Sequence, residues 1–510
     1  MSGHLLSVLI FFPLIGALAI VIGGRELNDR TARWLTLFVT LVTFAVSLSV
    51  LARFDHSNPG FQMLEQASWV PSIGLQYLVG VDGISLWLVL LTTFLFPVSV
   101  LASWTVTSDV RRYMIAMLVL ETAVLGTFLA LDLIVFFIFF EAILVPMYLL
   151  IGGWGGERRV YAAVKFFLYT MAGSAFLLVS ILFLYAHTGA TTFDLRSLAD
   201  ASTTLPVQTA RWLFLGFFVA FAVKVPIFPL HTWLPDAHTE APTAGSVLLA
   251  GVLLKVGAYG LIRFSLALFP EAAKHFATAV SVLAVIGIIY GAVCALGQRD
   301  VKRLVAYSSV SHLGFVVLGV FALTQQAVTG GVLQMVNHGL ATGALFLLVG
   351  MVYDRTHTRR LDEMGGLASQ MPWLLGFFLF AVFASAGLPG LSSFIGEFLV
   401  IVGTFAVSHV FGALASVAVV LGAIYLLWSY QRVAYGPIHE EHRTLRDVSA
   451  REVLVIMPVL ALLLVFGVYP KLMTDTIDPA TTQVVEHVAP DHATTVVPAV
   501  QAAAPAGSGG

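Results

Sequence analysis

Long apolar runs of bilayer-crossing length dominate this 510-residue sequence. A helix needs roughly 20 mainly apolar residues to cross the hydrocarbon layer. Lipid offers no partners to an open backbone, so each run must be helical. Such runs fall near 5–22, 33–52, 81–106, 112–130, 131–150, 162–185, 211–230, 244–263, 275–296, 304–323, 327–351, 371–405, 408–431 and 452–470. Only Ala130 to Asp132 separate the fourth from the fifth. The twelfth is too long for one straight crossing and contains Gly387, Pro389 and Gly390, which predicts a broken helix. The expected fold is an all-α polytopic membrane protein with about fourteen transmembrane helices. Composition agrees: charged residues are 11% of the chain, against roughly 25% in an ordinary globular domain. The first run lacks a basic segment before it and reads as the first span rather than a cleaved leader.

Basic residues sort by side. Seventeen of the 26 Lys and Arg residues lie after odd-numbered spans, six lie on the opposite side, and Lys165, Lys224 and Lys255 lie in or at the ends of spans. The positive-inside rule then puts both termini outside the cytoplasm. The longest external connections are 53–80 and 186–210. From about 476 to 510 the chain turns to Ala, Pro, Thr, Val and Gly and is expected to be disordered. The lone Cys294 excludes a disulfide framework or a cysteine-based metal site within the chain.

Residues 165–185 and 335–355, aligned at an offset of 170, share Gly173/Gly343 and the run FLLV. The seventh span ends in KVPIFPL (224–230) and the twelfth breaks at GLPG (387–390), so the proline-interrupted spans also lie five apart. Five is odd, so corresponding helices cross in opposite directions, the signature of inverted repeats with broken helices 7 and 12. The expected divisions are 1–110 (helices 1–3), 111–263 (first five-helix repeat), 264–431 (second), 432–475 (cytoplasmic linker and helix 14) and 476–510 (tail).

Charged residues inside these runs are the candidate functional groups. Glu141 sits in the fifth span, where a lone carboxylate demands a counter-charge or a proton. The alternative is a glutamate satisfied by a neighbour. Lys224 precedes Pro226 and Pro229, each of which lacks an N–H and frees carbonyls; near a span end it could equally snorkel to the interface. Lys255 is central in its span, with Gly251 one turn before giving room for water and Tyr259 one turn after offering a hydroxyl. Glu397 follows the second break, with Ser393 one turn away. His312 and His338 lie inside spans ten and eleven and suit either proton relay or neutral interhelical bonding. His231 and His238 flank WLPDA as uptake-side relays. Alternating acids and bases suit a proton path, while redox motifs and nucleotide fingerprints are absent.

The segments VDGISLWLVLLT (81–92), FFEAILVPMYLLIGGWG (139–155), KVPIFPLHTWLPDAHTEAPTAGSVLLAGVLLKVGAYGLIR (224–263), YSSVSHLGF (307–315) and GLPGLSSFIGEF (387–398) closely resemble the antiporter-like membrane subunits of proton-pumping NADH–quinone oxidoreductase (respiratory complex I), over roughly 1–470. Within that family the resemblance is to the bacterial M-type, the counterpart of mitochondrial subunit 4. The L-type carries a long lateral helix, and the N-type has Lys where this chain has Glu397. The resemblance implies that Glu141 and Lys224 are the paired acid and base, Lys255 the central lysine, Glu397 the distal acid, and His231, His312 and His338 the relay. It also implies a translocase subunit that itself holds no cofactor or metal. NADH, FMN, Fe–S clusters and quinone belong to partner subunits. Implied partners are other membrane subunits, adjacent antiporter-like ones among them, with membrane lipids around them and protons as cargo; no nucleic acid is implied. The implied location is the bacterial inner membrane. Multi-subunit cation/proton antiporters and membrane-bound hydrogenases use the same module, and a purely structural subunit or a solitary transporter are the other readings.

Overall fold

A computed structural model describes residues 3–24 and 26–493. Among them, thirteen helices are long and apolar enough to cross a membrane: Leu5–Gly23, Asp29–Arg53, Gly83–Thr105, Val110–Leu129, Leu133–Trp154, Arg159–Thr188, Val207–Lys224, Thr243–Leu266, Pro270–Leu296, Val301–Phe321, Gln325–Thr356, His409–Ala434 and Ala450–Val468. The remaining crossing is the expected broken one, made of the half-helices Pro372–Ser385 and Ser392–Phe405. Spans one to eleven are thus the first eleven of these helices, the half-helix pair is span twelve, and the last two are spans thirteen and fourteen.

Short connections hold because side chains cap the helix starts. The turn between spans four and five is three residues long, as the sequence suggests. Asp132 closes it by accepting from the Ile134 and Val135 amides, which would otherwise face lipid without partners. Asp82 and Ser85 form a capping box at span three, and Ser449 and Glu452 do so at span fourteen. Asp447 accepts from the Trp373 and Leu374 amides and so caps span twelve. Arg355, ending span eleven, grips Glu452 with two nitrogens at 2.8 and 2.7 Å.

The spans form an inner and an outer set. Spans eight and eleven are buried throughout, whereas one, two, six, thirteen and fourteen expose most of their length. Trp34, Trp212, Trp373 and Tyr469 are exposed near span ends, where aromatic rings favour the headgroup level.

Two features depart from the sequence expectation. The 53–80 connection, expected as a long external loop, contains strands β1 (Gln62–Val70) and β2 (Leu75–Val81) in an antiparallel hairpin. Its Leu78 carbonyl accepts from the Leu131 amide, pinning the turn between spans four and five. The tail is not disordered from 476 onward. Helix Lys471–Val488 continues past span fourteen. Met473, Ile477, Ala480, Thr481, Val485 and Val488 form its buried stripe. Helical periodicity was present but carried by small and β-branched residues rather than Leu. Residues 494–510 lie outside the described residues.

Candidate functional site: a buried line of basic and acidic groups

Span eight is not a uniform α-helix. Leu249–Leu253 and Leu261–Leu266 are π-helical turns on either side of the α-helical Leu254–Gly260. A π turn shifts the backbone bonding by one residue and frees a carbonyl. The Lys255 ammonium donates to the carbonyl of Ala250. Its other contact is His338 Nδ1 of span eleven, at 2.7 Å.

That bond needs spans eight and eleven to lie close together. A Cβ at Gly339 would come within 2.7 Å of the Gly251 carbonyl. The space beside Gly251 is therefore filled by span eleven and by Leu95 rather than left for water. Tyr259 does not serve Lys255 either. Its hydroxyl donates to the Phe128 carbonyl at 3.0 Å and receives Arg263 Nε at 3.3 Å.

From His338 the line continues through span ten. The His338 and His312 rings are 5.8 Å apart between centroids, a separation that a bridging water spans. His312 Nδ1 is 2.7 Å from Glu397 Oε1, and Tyr425 reaches His312 Nε2 at 3.4 Å. Gln334 donates to the same Glu397 oxygen at 2.9 Å. Ser393, buried nearby, is not bonded to Glu397 among the described residues. The break places Glu397 beside a turn whose Gly387 and Gly390 have φ of +74° and +91°, a region that favours glycine. Leu388, Pro389 and Gly390 in this turn are exposed.

On the face rich in basic residues a cavity of about 760 Å³ opens toward Lys302, Arg303, Asp300, Glu240 and Arg359. Lys302 is buried and donates to the Ala241 carbonyl at 2.5 Å. His238 is fully buried and stacked on Phe346, and neither ring nitrogen has a hydrogen-bond partner among the described residues.

The other two predicted groups stand apart from the central line. Lys224 is buried with its ammonium 4.5 Å from the Phe140 ring centre. Among the described residues it makes no salt bridge with Glu141, which is half-buried and has an unpartnered Oε1. His231 is buried beside Phe228 and Tyr290, with ring centres at 5.7 and 5.1 Å. Glu141, Lys224 and His231 thus border the seventh-span break, while Lys255, His338, His312 and Glu397 form one chain. Lys302, Gln334 and Tyr425 escaped the sequence reading. Lys302 sits where a loop cation is expected, and Gln and Tyr carry no charge to betray burial. Among the described residues, no three His, Cys, Asp or Glu side chains cluster to hold a metal ion.

Residues 130–422 match the family described as NADH:quinone oxidoreductase/Mrp antiporter, transmembrane region. NADH-quinone oxidoreductase subunit M of Rhodobacter capsulatus is 47% identical, the match covering 95% of this chain and 97% of that one. NADH-ubiquinone oxidoreductase chain 4 of Marchantia polymorpha is 43% identical over 94% and 97%. A chain of respiratory complex I from Thermus thermophilus superposes with a TM-score of 0.87 at 32% identity, covering 95% of this chain and 99% of its own length. A chain of the Mrp complex from Dietzia sp. superposes at 0.83 with 19% identity over 96% and 98%, which shows a shared fold. Sequence and fold together place the chain in the NADH:quinone oxidoreductase/Mrp antiporter family, on its NADH–quinone oxidoreductase subunit M branch.

Proposed function

We propose that this chain, a proton-translocating membrane subunit of NADH–quinone oxidoreductase, moves protons along Lys302, His238, Lys255, His338, His312 and Glu397. The observation that carries the reading is the pair of buried hydrogen bonds Lys255–His338 and His312–Glu397, whose histidine rings lie 5.8 Å apart. Each member can hold or release a proton, and each changes its neighbour's proton affinity through its charge. Cytoplasmic water reaches Lys302 through the cavity, and the proton leaves past Glu397 toward the outer half. Glu141 and Lys224 form the electrostatic input at the seventh-span break. Glu141, half-buried on an outer helix, faces an adjacent antiporter-like subunit, whose charge sets Lys224 and through it Lys255. The units 111–263 and 264–431 are the two inverted repeats, 1–110 the flanking helices, and 432–475 the linker and last span. NADH, FMN, Fe–S clusters and quinone act in partner subunits. The complex lies in a bacterial inner membrane with both termini of this chain outside.

The test is Glu397→Gln beside Glu397→Asp in complexes purified under mild detergent with their subunits identified. Glutamine keeps the bonds to His312 and Gln334 but cannot carry a proton, so quinone-linked proton translocation should fall about tenfold or more, while aspartate retains a measurable rate. Equal pumping by glutamine and wild type would remove Glu397 from the path.

A further inference from the structure

The helices before the fifth span hold buried polar groups that the central line does not use. Glu121, midway along span four, is fully buried, and neither carboxylate oxygen has a partner among the described residues. An unpaired carboxylate is costly in such surroundings, and a proton is the one partner the site leaves for it.

Its depth follows from helix contacts. A Cβ at Gly16 would meet both Val39 and Leu118, so those two are level. Spans two and four run the same way, which puts Thr43 beside the Glu121–Thr122 step. Thr36, Thr40, Thr43 and Ser47 form a completely buried hydroxyl stripe on span two. Each donates to a carbonyl of its own helix, leaving oxygen lone pairs free to accept.

A second set of groups leads inward from the large cavity. Tyr113, two turns before Glu121 and about 12 Å along the axis, lines the large cavity with Ser103. Their hydroxyls are 2.9 Å apart. One turn inward from Ser103, the Ser99 hydroxyl is buried without a partner among the described residues. Buried polar atoms of this kind take water. On the other side, a Cβ at Gly126 would strike the Phe139 ring, which fixes the register of the antiparallel spans four and five. Glu141 then lies about one turn outward of Glu121.

We propose that Glu121 is a second proton-carrying acid, loaded from the cytoplasmic cavity past Tyr113, Ser103 and Ser99 and discharging toward Glu141. In one cycle the Glu121 proton leaves for the Glu141 side, and a proton from cavity water replaces it on the same carboxyl group. This rests on the proton-translocation reading above.

Glu121→Gln in the whole complex keeps the side chain's volume and hydrogen-bonding capacity but removes the transferable proton. Proton translocation coupled to quinone reduction should fall about tenfold, and Glu121→Asp should restore part of it. An assembled glutamine variant that pumps at the wild-type rate overturns the inference. Where the variant fails to assemble, the native complex decides. A hydrophobic carbodiimide, which adds to protonated carboxyl groups, should label Glu121 in peptide maps, and absence of label there overturns it. Normal pumping by Glu121→Gln with lost pumping by Lys255→Met defeats this inference alone, whereas normal pumping by Lys255→Met defeats the relay itself.

Discussion

In the proposed relay Lys255 must both hold a proton and release it. Its ammonium has two contacts, the Ala250 carbonyl and His338 Nδ1, and only the histidine can take a proton from it. Arginine would place a guanidinium that stays charged across the physiological range, so Lys255→Arg should assemble and remain deficient in pumping. Gln334 has a supporting role at the far end. Gln334→Leu strips one donor from Glu397 Oε1, and proton translocation should fall several-fold while NADH oxidation by an upstream acceptor is unchanged. The buried Arg263–Asp82 pair joins spans eight and three. Arg263→Met leaves Asp82 charged without its ion-pair partner, although Asp82 still accepts from the Ile84 and Ser85 amides, and breaking a buried pair in this way costs about 3–5 kcal/mol. The expected readout is less subunit incorporated and a lower melting temperature, partly recovered in the double variant with Asp82→Asn. Lys255, His312, His338 and Glu397 were legible because charge inside an apolar run is rare. Glu121 carries that same signal in MLVLETAVL, but Glu141 in the next span drew the reading. Gln334 and Tyr425 gave no sign, since their roles depend on which residues of distant spans meet them.

Elements matter here through how closely their backbones approach. The Gly251–Gly339 contact sets the distance between spans eight and eleven, and Lys255 and His338 each lie within a turn of it. Gly339→Val would put branched carbons against the Gly251 carbonyl, 2.7 Å from the Cβ position. Overpacking of this kind typically costs about 1–3 kcal/mol. Where the variant assembles, pumping should be lost more severely than stability, because the Lys255–His338 bond is pulled apart. Proton-uptake traces and thermal unfolding of the same preparation check this. Broken spans seven and twelve were legible from their Pro and Gly residues. The π turns of span eight were not, because Leu, Ala and Val suit α and π turns equally. The Lys471–Val488 helix was misread for a related reason: its buried stripe is made of Met, Ile, Ala, Thr and Val, set among prolines and acids.

Across the whole molecule, basic residues mark one face and the apolar girdle meets lipid. The Lys and Arg asymmetry and the cavity lined by Arg158, Lys302, Arg303, Arg359, Arg360 and Arg451 point to the same end. Cysteines introduced at Arg359 and at Lys471 should therefore react oppositely in intact cells: an impermeant reagent should label 471 and spare 359 until the cells are lysed. Labelling of 359 in intact cells would reverse the topology. The spans were readable from sequence because hydropathy is local. The inner position of spans eight, ten and eleven follows only from packing. The most direct test of the central claim is proton translocation measured together with quinone reduction in sealed inside-out vesicles bearing Lys255→Met. Methionine keeps much of the lysine's apolar stem without a titratable nitrogen. The account predicts a fully assembled complex that still oxidises NADH with an upstream acceptor and loses most quinone-linked turnover and proton uptake. Wild-type proton uptake by that assembled variant would contradict it.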